Sequence, residues 1–290
     1  MTFRMTGDVR MVKPRVAILG ARGMLGTDVT SEAGRNGWDI EAWDLPELDI
    51  RETSQIEKVV ADSDIVVNCA AYTQVDKAEE EPDAAHKLNA EAVGNLGNLA
   101  KAEGTRVIHI STDFVFSGNL DGFYTEEDEP DPLSVYGKTK LEGEELLKQS
   151  GCSHCILRVQ WTYGHAGNNF VKKILDKARK DSELRVVDDQ VGAPTATSEI
   201  AAVICRLIER EVEGLFHFAA DGYVSRYGAS RFLLSKVGLN TAVTPCKTED
   251  FPTPAKRPLN SRFDCRRICK ELDLNIAHWR EPLSGFLETL

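Results

Sequence analysis

Short apolar runs that end in glycine or small polar residues alternate along the first half of the chain with stretches whose apolar residues recur every three or four positions. "RVAILG" (15–20) predicts a strand, and the pattern after it predicts a helix through about Arg35. The alternation continues with "DIEAWD" (39–44), a helix near 53–60, "DIVVNCA" (64–70), a long helix near 83–103, "RVIHIST" (106–112), a helix beginning near Ser134, and "HCILRVQ" (154–160). Strands that are apolar on both faces must be covered on both faces, which predicts an α/β fold with a doubly wound parallel sheet.

Beyond Trp161 the rhythm loosens into a helix near 168–180, "LRVVDD" (184–189), a helix near 197–210 and "GLFHFA" (214–219). This predicts a second, smaller lobe interleaved with the first. The expected division is residues 15–160, with about 191–213, in the sheet domain, and about 161–190 with 214–290 in the lobe. Residues 1–14 form an N-terminal extension with no assigned role. The prolines of "PTPAKRP" (252–258) resist helix and sheet, so this segment is expected as a loop laid over a surface.

With 290 residues the chain can bury a sizeable core. Its net charge of −11 repels phosphate backbones and acidic membrane surfaces, which argues against nucleic acid or a membrane as partner. An anionic small ligand is still compatible, because helix N-termini and a few placed cations create local positive sites. No apolar run approaches the roughly 20 residues of a membrane span, and "MTFRMTGDVRMVKP" lacks the apolar core of a signal peptide, so a cytoplasmic protein is expected. Seven cysteines, several in strand-like runs (Cys69, Cys155), fit reduced core thiols better than a disulfide framework. "CSHC" (152–155) with Cys265 and Cys269 lacks the spacing of a zinc site, and no metal ligands are assigned.

The first strand runs into Gly20, Gly23 and Gly26, where bare backbone lets the chain turn tightly and approach a pyrophosphate at a helix N-terminus. In this setting the glycines predict dinucleotide binding. Asp44 closes the second strand 18 positions after Gly26, where a carboxylate accepts hydrogen bonds from an adenosine ribose and favours NADH. Arg22, inside the loop, argues for a 2′-phosphate and NADPH; its alternative is a solvated loop cation. The two leave the cofactor's 2′ group open.

In "LSVYGKTKLEGEEL" (133–146), Tyr136 and Lys140 share one helical face. An ammonium beside a phenol lowers the phenol's pKa from about 10 toward the range where it relays protons. Taken alone, the pair is also the pattern of a core-edge tyrosine with a solvated lysine. Its position after "ISTD" (110–113) places Ser111 and Thr112 at the carboxyl end of a parallel strand, where such sheets form their ligand crevice.

Glycine loop, strand-end hydroxyls and Tyr-x-x-x-Lys together resemble the extended short-chain dehydrogenase/reductase superfamily. "VNCAAYTQVDKAE", "STDFVFSG", "YGKTKLEGE", "VVDDQVGAPT" and "TPAKRPLNS", in this order, are similar to the motif series of the dTDP-4-dehydrorhamnose reductase family from Arg15 onward. The resemblance implies a Rossmann domain with a smaller C-terminal substrate lobe. It also implies reduction of the C4 ketone of dTDP-4-dehydro-6-deoxy-L-mannose to dTDP-L-rhamnose by NADPH or NADH. Thr112, Tyr136 and Lys140 are then the catalytic residues. Gly20, Gly23, Met24 and Leu25 meet the pyrophosphate, Asp49 and Ile50 lie near the adenine, and Ala70, Ala71 and Thr73 follow the third strand. Thr112, Asp113, Trp161 and Asn169 fall on the sugar side, and Lys256 and Arg257 offer charge to the diphosphate. The resemblance leaves a homodimer and Mg2+ open, with no ligands assigned.

The sequence departs from the family pattern at Phe114, Ser117, Val159 and Gln160, which puts the sugar's stereochemistry in question more than the chemistry. Two neighbouring activities stay open: a reductase of another nucleotide-linked 4-keto sugar, and epimerase or dehydratase chemistry. A third alternative is a non-catalytic dinucleotide-binding regulatory subunit resembling the methionine adenosyltransferase β subunit, which binding without turnover would reveal.

Overall fold

The computed structural model describes residues 13–290, so most of the N-terminal extension lies outside the described residues. The chain begins with β1 (Arg15–Leu19), α1 (Met24–Arg35), β2 (Asp39–Trp43), α2 (Thr53–Ala61) and β3 (Ile65–Asn68). Short helices α3 (Val75–Ala78) and α4 (Pro82–His86) precede α5 (Ala92–Glu103), β4 (Arg106–Thr112), α6 (Val135–Ser150) and β5 (His154–Val159). There follow β6 (Thr162–Tyr163), α7 (Phe170–Ala178), β7 (Glu183–Val187), β8 (Val191–Gly192), β9 (Thr195–Ala196), α8 (Thr197–Glu209) and β10 (Gly214–Phe218). The chain ends with β11 (Val224–Ser225), α9 (Arg226–Lys236), β12 (Ala242–Cys246), α10 (Arg266–Leu272) and α11 (Arg280–Glu288).

The main sheet has six strands in the order β10, β5, β4, β3, β1, β2, all pairings parallel. The order reverses at β1, which has β2 on one side and β3 on the other, and open α/β sheets form their crevice at that reversal. Register brings Leu19 beside Asn68 and Thr112 beside Val159, so the loops that leave these strands rise from one edge. Alternation along β1 sends Val16 and Ile18 to a core shared with Val29 of α1 and Ile200 and Ile204 of α8. Ala17 and Leu19 meet Ile56 of α2, Leu96 of α5 and Leu147 of α6 on the other face. A third core joins Val171 and Leu175 of α7, Leu184 of β7, Leu233 of α9 and Leu283 of α11.

Two expectations change. The helix expected near 83–103 is α4 and α5 joined by a π turn over Lys87–Glu91. Buried Asn89 in that turn accepts from Tyr72 N at 2.8 Å and donates to Tyr72 O and Thr139 Oγ1, so tertiary hydrogen bonds outweigh regular helix. The run "GLFHFA" is β10, an edge strand of the main sheet paired with β5, rather than part of the smaller lobe. The segment 252–258 is irregular and lies against α3, where Ala255 N donates to Asp76 Oδ1 at 3.2 Å. All seven cysteines are free thiols. Among the described residues no helix is long and apolar enough to cross a membrane.

Candidate active-site cleft

A cleft of about 1070 Å3 runs along the carboxyl edge of the main sheet. Its floor is the glycine loop. Gly20 has φ +76°, and a Cβ there would stand 2.6 Å from the Ala70 backbone nitrogen, so only glycine lets the first loop lie against the end of β3. A Cβ at Gly26 would collide with the Gly20 carbonyl oxygen, which keeps α1 tight on the same loop. Gly23 precedes α1 and supplies no side-chain cap, so first-turn N–H groups beside Met24 and Leu25 stay open at the cleft. Bare backbone and an uncapped helix N-terminus suit a pyrophosphate, and these residues fit a dinucleotide.

Asp44, Asp49, Ile50, Ala70, Ala71 and Thr73 line the same end of the cleft. Asp44 accepts from Arg22 N at 2.7 Å and from Leu45 N at 2.8 Å, so its carboxylate also ties the loop together. Arg22 lies outside the lining; its guanidinium donates to Leu45 O at 2.8 Å and Glu47 Oε1 at 2.6 Å. Asp49 pairs with Arg51, whose guanidinium holds the Asp49 carboxyl below its usual range.

The opposite wall carries Thr112, Asp113, Tyr136 and Lys140. Ser134 caps α6 by accepting from Gly137 N at 3.1 Å, which fixes where the helix starts and places Tyr136 in its first turn. Further along, Glu144 accepts two hydrogen bonds from Arg158 of β5, at 2.9 and 2.7 Å, and a third from Ser111 of β4. This buried pair clamps α6 to the sheet. Phe114 packs edge-on against Tyr136, ring centroids 5.4 Å apart.

The expected coupling of the two side chains takes a different form. Lys140 is buried, and its Nζ donates to Ile110 O at 2.7 Å and lies 3.1 Å from His109 Nε2. Asn68 Oδ1 accepts from Ala70 N, so its Nδ2 faces His109 Nδ1 at 3.2 Å and donates there. That assigns the imidazole hydrogen to Nε2, which faces the lysine and favours a neutral amine. Burial acts the same way, pulling Lys140 down to about 8 against a smaller upward pull from Glu144. For Tyr136, burial pushes the phenol up to about 12, with the Thr112 hydroxyl pulling it back and Asp113 adding to the rise. The phenol is therefore not depressed by Lys140: desolvation dominates both groups, and the lysine is turned toward β4.

Thr112 donates to Asp113 Oδ1 at 3.1 Å and accepts from Phe114 N at 3.2 Å. Asp113 is buried, which raises its carboxyl against the opposing hydroxyls of Ser261 and Thr112. Trp161 lines the cleft with a left-handed backbone, φ +46°, held where Thr195 N donates to its carbonyl at 3.2 Å. Asn169 also lines it, yet its amide caps α7, accepting from Lys172 N at 3.1 Å and donating to Gly164 O at 2.9 Å. Arg257 lines the cleft and pairs with Asp76 at 2.7 Å, whereas Lys256 is exposed and outside the lining. The departures Val159 and Phe114 also border the cleft; Gln160 sits behind it, accepting from Ala193 N at 3.2 Å.

Sequence reasoning did not select Arg226, His109 or Ser261. Arg226 opens α9 and lines the cleft with its guanidinium 3.5 Å from the Trp161 ring centroid. A lone arginine in "SRYGAS" carries no motif, and only the fold brings it to Trp161.

Fold and cleft together define the class: an α/β protein of the extended short-chain dehydrogenase/reductase type, with its ligand crevice at the reversal of strand order. The family described as "RmlD substrate binding domain" matches residues 14–290. The chain belongs to this family, that of the dTDP-4-dehydrorhamnose reductases. It is 37% identical over 273 residues to the dTDP-4-dehydrorhamnose reductase of Mycolicibacterium smegmatis, covering 93% of this chain and 84% of the relative. The crystal structure of the Clostridium acetobutylicum reductase superposes with a TM-score of 0.91 at 37% identity, covering 95% of this chain and 99% of that one. The Bacillus anthracis reductase, solved in complex with NADP, has a TM-score of 0.92 at 34% identity, covering 96% and 100%.

Proposed function

We propose that the protein reduces the C4 ketone of dTDP-4-dehydro-6-deoxy-L-mannose to dTDP-L-rhamnose, using NADPH or NADH. The observation that carries this reading is the meeting of Tyr136 and Thr112 with the glycine loop in one cleft. A bound reduced nicotinamide supplies the hydride. Gly20, Gly23, Met24 and Leu25 hold the pyrophosphate against the start of α1, and Ala70, Ala71 and Thr73 leave room for the dinucleotide to cross the sheet edge.

Tyr136 is the proton donor. A phenol raised to about 12 is fully protonated at neutral pH, the state a donor to an incipient alkoxide requires, and the alkoxide is the stronger base. Thr112 turns its hydroxyl hydrogen from Asp113 to the carbonyl oxygen and so aligns it with Tyr136. Lys140 would meet the nicotinamide ribose, exchanging its contacts with Ile110 and His109 for that one. Trp161 bounds the sugar.

The test is oxidation of NADPH and NADH by the purified protein on dTDP-4-dehydro-L-rhamnose made in situ by the preceding dehydratase and epimerase. Oxidation that needs protein, cofactor and keto sugar together and yields dTDP-L-rhamnose is the expected result. Tight cofactor binding with no oxidation would reject the reading.

A further inference from the structure

The Arg226 guanidinium lies against two aromatic rings, 3.5 Å from the Trp161 centroid and 4.7 Å from that of Phe170. Among the described residues no carboxylate comes within ion-pair distance of it, and no protein acceptor takes its N–H groups. The other arginines of the cleft differ: Arg257 is paired with Asp76 at 2.7 Å, Arg185 with Asp250 at 3.7 Å, and Arg51 with Asp49. Asp113 is the acid whose field reaches Arg226, but its two oxygens are occupied by the hydroxyls of Thr112 and Ser261.

The backbone around this side chain is fixed from both directions. Arg226 N donates to Gln190 O at 3.2 Å, and Ser225, which caps α9 by accepting from Gly228 N at 3.0 Å, is bound to Asp188. The Trp161 ring rests on bare backbone, since a Cβ at Gly192 would stand 2.7 Å from its Cε2. A left-handed tryptophan and a glycine beneath it are costly local choices for a ring that is only half-buried. A guanidinium with its faces against aromatic rings keeps its in-plane N–H fork for a ligand, and that fork matches phosphate oxygens bidentately.

We infer that Arg226 receives the diphosphate of the nucleotide-linked substrate, held edge-on to it by Trp161 and Phe170. The inference rests on the function proposed above and assigns the charge that anchors the substrate to a residue outside the motif series. It makes the stack a specificity device: a nucleoside diphosphate is recognised, and the neutral nucleoside is not.

The test is calorimetric titration of the full-length protein, saturated with NADPH, with dTDP, UDP, inorganic pyrophosphate and thymidine. Arg226→Gln should raise the dTDP dissociation constant about 30-fold, and Arg226→Lys, which keeps charge but loses the fork, by about a third of that. Affinities for thymidine and NADPH should stay within about twofold. Unchanged dTDP affinity in Arg226→Gln, or an equal loss for thymidine, would overturn the inference and leave the stack as a packing clip between α9 and the cleft. Wild-type protein that binds none of the three diphosphates would overturn it as well. Arg226-dependent binding of UDP but not dTDP would uphold the inference while rejecting the dTDP sugar as substrate. If Arg226→Gln fails to fold, the Lys variant carries the same comparison.

Discussion

Tyr136 and Lys140 sit one helical turn apart, yet burial drives them in opposite directions, the phenol up to about 12 and the ammonium down to about 8. Tyr136→Phe deletes the hydroxyl and leaves the ring against Phe114, so turnover should fall by roughly two to four decades while NADPH affinity is unchanged. Steady-state kinetics beside a cofactor titration separate the two effects, and a variant that turns over normally would remove Tyr136 from the chemistry. For Lys140 the folded pKa lies below the ordinary 10.5, so between about 8 and 10.5 the unfolded chain binds more protons and stability rises with pH. Below pH 8 the ligand-free fold carries the full penalty of a buried cation. Lys140→Met removes that penalty, so its stability relative to wild type should be highest near pH 7 and decline toward pH 10, by roughly 1–3 kcal/mol. Urea unfolding of both proteins at the two pH values checks this; a pH-independent difference would show that Lys140 keeps its ordinary pKa. Spacing put both residues on one face but gave no account of burial, and burial decides which way each titrates.

At the scale of elements, the site depends on how closely α6 approaches the segment that precedes α5. A Cβ at Gly143 would collide with the carbonyl oxygen of Asn89 in the π turn, so α6 lies flush against that turn only because position 143 is glycine. The same Asn89 holds the loop that carries Ala71 and Thr73 and reaches Thr139 on α6. Gly143→Ala should therefore push the helix bearing Tyr136 away from the cofactor loop. About 1–3 kcal/mol of stability should be lost in denaturant unfolding, together with a weaker NADPH affinity. Retained stability and affinity would mean that the contact gives without consequence. The helices themselves were legible in the periodicity of the sequence, and Ser134 marks the start of α6 as a cap. The π turn was not: its hydrogen bonds join positions 17 and 50 residues apart, so no local window contains their cause. The placement of β10 escaped for the same reason, because its partner β5 lies far back along the chain.

Across the whole molecule, the cleft draws on all three cores. The glycine loop, Thr112 and Tyr136 stand on the two cores that sandwich the main sheet, while α7 and α9, which bring Phe170 and Arg226, belong to the third. Basic side chains outnumber acidic ones along the cleft lining of a chain whose net charge is −11, so the local field there opposes that of the rest of the surface. Ligands that reach both sides thus tie separate cores together. A ligand that binds only the folded state at 100 times its dissociation constant adds about 2.7 kcal/mol, which for a chain of this size is a rise of about 5 °C or more in Tm. Thermal unfolding with NADPH and dTDP added singly and together should then show one transition, displaced furthest by the pair. Two transitions, of which each ligand moves only its own, would mean that the sheet and the α7–α9 region unfold independently. The cleft would then be an arrangement of the ligand-bound state rather than a feature that the cores maintain by themselves.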